Sequence, residues 1–237
     1  MPERKFFLGI DQTGAVFRHG RPKPLPACIV KGEEVELFSL PFFTKESLLR
    51  FVPEKILKNT FIGLDCVLGL PRNLELSWRD AIRGTLKEPG FGRIHAEHFF
   101  QRIGKGTIPR REVELRCKAN SVFQNRPFQK NVQTGTYRLW REMAEDPNWF
   151  FVPNLPGENK EKRVPVFEGY PSLAWRQLFP VKTRSPKDLP ALLRQAWPKL
   201  VWKQAQQRLV EKDPNYADSL VLALAVRQYA KAALARD

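Results

Sequence analysis

The sequence predicts an α/β fold, a sheet of short strands flanked by helices, and two observations carry that prediction. Residues 7 to 11 read Phe-Leu-Gly-Ile-Asp and residues 61 to 65 read Phe-Ile-Gly-Leu-Asp, two apolar runs that each close on a carboxylate. A run without polar alternation suits a strand covered on both faces, in the middle of a sheet packed between helices. The second observation is order: strand, strand, strand, helix and strand come first, and a long apolar helix comes last. That succession is the pattern of a layered α/β domain.

Taken in sequence, residues 5 to 10 form the first strand, and Asp11 ends it. A Gln12-Thr13-Gly14 turn leads into Ala15 to His19 and then a linker with Pro22, Pro24 and Pro26. Ala27 to Val30 and Val35 to Leu40 read as an antiparallel hairpin joined by the tight turn Lys31-Gly32-Glu33-Glu34. Thr44 is placed to cap a short helix carrying Ser47, Leu48, Leu49 and Val52. The strand of residues 60 to 64 follows and ends at Asp65. Residues 76 to 87 have helical character, with Trp78, Ala81, Ile82 and Leu86.

From about residue 88 to 135 the regular pattern breaks down, with nine Lys or Arg against four Glu. This stretch reads as a basic, irregular insertion on a single domain spanning residues 1 to 237, a length ordinary for one large domain. Its aromatics (Phe91, Phe99, Phe100, Phe123 and Phe128) suit satellite core packing better than base stacking. Tyr137 to Glu145 reads as a short helix and residues 149 to 152 as a strand. Val164 to Phe167 is the next strand, ending in Glu168, before a helix from about Ser172 to Leu178. Residues 187 to 211 are helical with a break around Pro198. Asp213 and Pro214 then start the last helix, an N-cap followed by proline at the first helical position.

Side chains alternate along a strand, so Asp11 shares a face with Gly9 and Asp65 with Gly63, each glycine leaving open space beside its carboxylate. As parallel neighbours the two aspartates meet at the carboxyl edge of the sheet, where ligands bind in open α/β folds. One aspartate after a strand commonly just starts a turn. The matched pair points to a site. Glu168 is a third carboxylate at a strand-to-helix junction, although capping a turn beside Tyr170-Pro171 also accounts for it. Asp218 precedes Leu222, Ala225 and Tyr229 by one, two and three helical turns, so it lies on or beside an apolar stripe, with Asn215 on the same side. A buried carboxylate there needs a partner, either an arginine or a metal ion.

The chain carries 40 Lys and Arg against 25 acids, a net charge of +15. Such a field attracts polyanions, nucleic acid first among them. Arg110, Arg111, Arg116 and Lys118 are the densest cations of the basic stretch, suited either to tracking phosphates or to a solvated surface. The three cysteines are far apart and read as reduced thiols of a cytoplasmic protein, and the three histidines form no zinc pattern. No secretory segment is read at the start, and no apolar run approaches the ~20 residues that span a bilayer.

Here the chain resembles a known fold. The strand ending at Asp11, the hairpin, the helix, the strand ending at Asp65 and the final Asp218-Ser-Leu-Val-Leu-Ala-Leu-Ala helix are similar to the ribonuclease H-like fold. Asn215-Tyr-Ala-Asp218-Ser-Leu resembles the final acidic helix of RuvC-type Holliday-junction resolvases. The closer resemblance is to a family of uncharacterised proteins assigned to that fold and predicted to be nucleases. It rests on Ile-Gly-Leu-Asp-x-x-Leu-Gly-Leu-Pro (residues 62 to 71), Glu-x-Tyr-Pro (168 to 171) and the C-terminal Asp-x-Leu helix. The resemblance covers roughly residues 5 to 84 and 160 to 235. It implies a mixed sheet of strand order 3-2-1-4-5, its first hairpin antiparallel, flanked by helices.

The resemblance also implies a metal-dependent nuclease. Asp11, Asp65 and Asp218 would be the metal-ligating and catalytic carboxylates, and Glu168 a fourth. Asn215 stands where the resolvase helix has an acid, and offers a metal an amide oxygen without charge. Carboxylates without His or Cys suit Mg²⁺ or Mn²⁺. Two other readings stand beside this one. Gly9-Ile-Asp11-Gln-Thr-Gly14 also looks like the first phosphate loop of actin-like sugar kinases, though the chain has no second such loop. A non-catalytic nucleic-acid-binding protein on a nuclease fold also fits the charge and Asn215.

Overall fold

The structure is a computed structural model that describes residues 6–12, 17–18, 21–116, 121–124, 130–153, 155, 163–181 and 184–234. Its centre is a six-stranded mixed sheet built from β1 (Phe6–Ile10), β4 (Leu25–Lys31), β5 (Glu34–Leu40), β6 (Thr60–Leu64), β7 (Phe150–Phe151) and β8 (Val164–Glu168). The sheet order is β5-β4-β1-β6-β8-β7. β1 runs antiparallel to β4 and parallel to β6, and β8 is parallel to both its neighbours. A separate two-stranded ribbon pairs β2 (Phe17–Arg18) with β3 (Arg21–Pro22).

Helices cover both faces, which is why β1 and β6 lack polar alternation. On one face Leu8, Ile10, Ile29, Ile62 and Leu64 form one cluster with Ile82, Phe99, Tyr137 and Trp140. These last come from α3 (Trp78–Gly84), α4 (Arg93–Ile103) and α6 (Lys130–Glu145). On the other face Phe7, Cys28, Val30 and Phe61 pack with Trp175, Leu193, Leu220, Val221 and Leu224. Those belong to α7 (Pro171–Leu178), α8 (Leu189–Ala196) and α10 (Pro214–Leu234). At the outer edge, β5 is capped by Val201, whose backbone bonds Glu33 and Val35. That closes part of an otherwise open strand edge.

Local signals placed several elements. Thr44 caps α1 (Lys45–Leu49) by accepting the Ser47 N–H, and α2 (Glu54–Leu57) follows. α9 (Gln204–Lys212) and α8 divide around the expected break near Pro198. The Asp213 carboxylate accepts from the Asn215 N–H at 2.9 Å at the start of α10.

Two expectations differ. The strand order is not 3-2-1-4-5: counting only the strands of this sheet it is 3-2-1-4-6-5, with β7 outside β8 at the far edge. β7 is two residues long, too short for periodicity to show where it pairs. The stretch from 88 to 135 is not irregular throughout, because it holds α4, α5 (Glu112–Arg116) and the first turns of α6. Phe99, Phe100 and Phe123 are buried in the main core rather than in a satellite of it. α6 starts seven residues earlier than Tyr137, through a segment rich in Thr, Asn and Gly. Packing against the sheet overrides the low intrinsic propensity of those residues.

Candidate functional site

β1 and β6 pair in register, Gly9 opposite Gly63 and Ile10 opposite Leu64. The ladder continues one step past the strands, where the Asp65 N–H donates to the Ile10 carbonyl at 2.9 Å. The Asp11 N–H donates to the Pro26 carbonyl at 3.0 Å. Asp11 and Asp65 therefore leave the sheet side by side, on the face that carries α10.

The glycines work differently from the expected open space. A Cβ on Gly9 would lie 2.0 Å from the Ser219 carbonyl oxygen and 2.5 Å from the Ala223 nitrogen. A Cβ on Gly63 would lie 2.6 Å from the Val226 side chain. The space beside the strands is filled by α10, whose backbone rests directly on β1. This close approach carries Asp218, one residue before Ser219, to the strand ends.

The three aspartates then act on one another. Asp11 is buried and its carboxyl hydrogen-bonds that of Asp65. Burial pushes the Asp11 pKa far up, and the negative charges of Asp65 and Asp218 push it further. Burial raises Asp65 as well, but less, because it accepts hydrogen bonds from Asp11 and from Gln12. Both shifts run upward, so the pair favours holding a proton between its two carboxyls at neutral pH. Asp218 is also raised by burial, opposed by Arg184 and Trp175. The Trp175 indole N–H donates to one Asp218 oxygen at 2.7 Å, and Arg184 donates to the other at 2.7 Å. The expected choice for Asp218, arginine or metal, is thus met by an arginine at the strand ends themselves.

Glu168 is the opposite case. Arg111 grips both its oxygens, at 2.6 and 2.7 Å, and the Leu68 N–H donates to it at 2.7 Å. Arg111 also binds Glu114 at 3.0 Å and the Tyr170 hydroxyl at 2.8 Å. The fourth-ligand expectation is corrected on this ground: Glu168 anchors Arg111 and has little oxygen left for a metal. The same contacts correct Arg111 as a nucleic-acid contact, since it is buried among carboxylates. Arg110 is exposed, and so is Arg116, which pairs with Glu112. Lys118 lies outside the described residues. The Asn215 amide donates to Asp213 at 2.9 Å, so its visible role is in the cap of α10.

Arg184, Trp175 and Gln12 were missed by sequence reasoning. Arg184 stands in a loop without pattern, and Trp175 looks like any apolar residue of an amphipathic helix. The Arg111–Glu114 pair had a readable signal, its i,i+3 spacing.

By donor chemistry the residues fit a hard divalent cation. Asp11 and Asp65 hydrogen-bond each other, the charge of Asp218 acts on both, and the buried Gln12 Oε1 accepts no hydrogen bond. As they stand they are not grouped as a metal cage: among the described residues no three His, Cys, Asp or Glu side chains are arranged to hold an ion. Comparison with protein-family models, curated proteins and solved structures finds no match for this chain. Among the described residues no helix is long and apolar enough to cross a membrane.

Proposed function

We propose that this protein is a metal-dependent phosphodiester hydrolase acting on nucleic acid, built on a ribonuclease H-like domain. The observation that carries the reading is the Asp11–Asp65–Asp218 cluster, in which desolvated negative charge is met by a shared proton. Retaining such charge costs stability, a trade-off expected where function requires it. Asp11, Asp65 and Asp218 would hold Mg²⁺ or Mn²⁺, with the Gln12 amide oxygen close by. A bound divalent ion supplies an activated water and stabilises a leaving oxygen. The chain's own part is to keep these oxygens converged and shielded, through α10 resting on Gly9. The net charge of +15 supports a polyanionic substrate held by its phosphates, with little reading of bases.

The specific observation favouring a second reading is the Arg184–Asp218 ion pair, which suits a non-catalytic nucleic-acid-binding protein. One assay separates the two. End-labelled single-stranded, duplex and branched DNA and RNA are incubated with the protein and with Mg²⁺, Mn²⁺ or chelator. The nuclease reading expects cleavage that needs the metal and falls by at least about a hundredfold in Asp11→Asn and Asp65→Asn, the upper end of what a residue merely supporting a ligand costs. Salt-sensitive binding with no cleavage of any substrate selects the non-catalytic reading.

A further inference from the structure

Among the described residues, Arg184 is a cation that faces the candidate site. Its guanidinium bonds Asp218 directly, and its positive charge also acts on Asp11 and Asp65. The two ends of this pair differ in a telling way. The Asp218 side chain is 12% exposed, whereas that of Arg184 is 48% exposed. Arg184 can therefore move into water at little cost to itself, whereas the Asp218 carboxylate it leaves behind is buried and needs another cation in its place. Asp218 is held on α10, and the Trp175 indole N–H donates to its other oxygen at 2.7 Å. Of the two partners, the guanidinium is the one that reaches solvent.

Resting on the metal-centre reading above, we infer that Arg184 is a resident counter-ion that occupies the cation's place at Asp218 and is displaced when a divalent ion binds. The arginine latches the metal-free site, lowers its affinity for metal, and is freed toward solvent when the ion enters. Two physical effects act together. The ion pair must be broken before Asp218 can turn an oxygen to the metal, and the guanidinium repels the arriving cation. Free Mg²⁺ or Mn²⁺ then has to exceed a threshold set by one exposed side chain.

The test is a titration of Mn²⁺, and separately Mg²⁺, into the purified full chain, followed by calorimetry and by the rise in melting temperature. Parent, Arg184→Ala and Arg184→Gln are compared. Arg184→Gln keeps most of the side chain's bulk and removes its charge, so agreement between the two variants excludes an effect of lost packing. The inference expects both variants to bind metal about fivefold more tightly than the parent, as loss of a partly exposed ion pair allows. It also expects both to be less stable than the parent in chelator. Metal binding by the parent with equal or weaker binding by both variants overturns the latch and leaves the metal-centre reading standing. Absence of metal binding in all three proteins overturns the metal-centre reading, and the latch with it.

Discussion

Two regions of this molecule carry the same local signal, an apolar strand closing on a carboxylate, and they answer it in opposite ways. At the end of β8, Glu168 is gripped by Arg111 through two hydrogen bonds and by the Leu68 N–H through a third. Its charge is matched and its oxygens are occupied. At the ends of β1 and β6, Asp11 and Asp65 hydrogen-bond each other, and Arg184, whose charge acts on both, is bound to Asp218. Strand-end position thus marks a candidate, while the balance of charge around it separates an anchor such as Glu168 from a candidate site such as Asp11 and Asp65.

The comparison is sharpest where a partner is removed. Arg111→Ala would leave Glu168 and Glu114 buried without their cation, and a broken buried pair costs about 3–5 kcal/mol. Urea denaturation measures it. A loss below about 1 kcal/mol would mean that Arg111 does not anchor β8. Gly9→Ala probes the other region through packing. Its methyl would meet the α10 backbone, which cannot rotate aside, so a loss of about 1–3 kcal/mol or more is expected on the same denaturation curve. Glu168→Gln and Asp11→Asn form the matched pair. The first should cost about 2 kcal/mol, the scale of hydrogen bonds to a charged group. The second, in chelator, should cost about 1 kcal/mol or less, because the pair already holds a proton at neutral pH and an amide N–H can donate to Asp65 in its place. Equal losses in both would erase the distinction.

The two regions also differ in how their stability responds to pH. An unfolded aspartate titrates near pH ~3.9. Folded Asp11 and Asp65 titrate higher, so above that pH the native state holds protons that the unfolded chain has released. Metal-free stability should therefore fall as pH rises from about 4 toward neutrality, by at most about 1.4 kcal/mol per pH unit per proton. Asp11→Asn should flatten that profile, measured by denaturation at a series of pH values. A carboxylate paired to arginine, with its pKa depressed, would give the opposite sign.

Much of this was legible in the chain. The echo of Phe-Leu-Gly-Ile-Asp and Phe-Ile-Gly-Leu-Asp placed two central strands and their aspartates, because fully buried strands leave unbroken apolar runs. Thr44 and Asp213-Pro214 marked helix starts because capping is a local interaction. The role of Gly9 was not legible, since the atoms that need its missing side chain lie on α10, more than 200 residues away. Arg184 was hidden for a related reason: a loop cation has no periodicity, and its partner is chosen by tertiary structure. α4 was obscured by the glycines that flank it at 90, 92 and 104, and the early start of α6 by Asn, Thr and Gly, whose weak propensity gives way to packing.

The central claim is that the cluster of Asp11, Asp65 and Asp218 is a divalent-cation site. Thermal unfolding of the parent and of Asp11→Asn, each in chelator and then in millimolar Mg²⁺ or Mn²⁺, tests it most directly. Ligand that binds only the native state raises its melting temperature, and a concentration a hundred times the dissociation constant is worth about 2.7 kcal/mol. The account predicts a clear rise for the parent, none for Asp11→Asn, and a loss of about 1 kcal/mol or less from the substitution in chelator. If metal shifts neither protein while Asp11→Asn costs several kcal/mol in chelator, the aspartates are structural and the claim is contradicted.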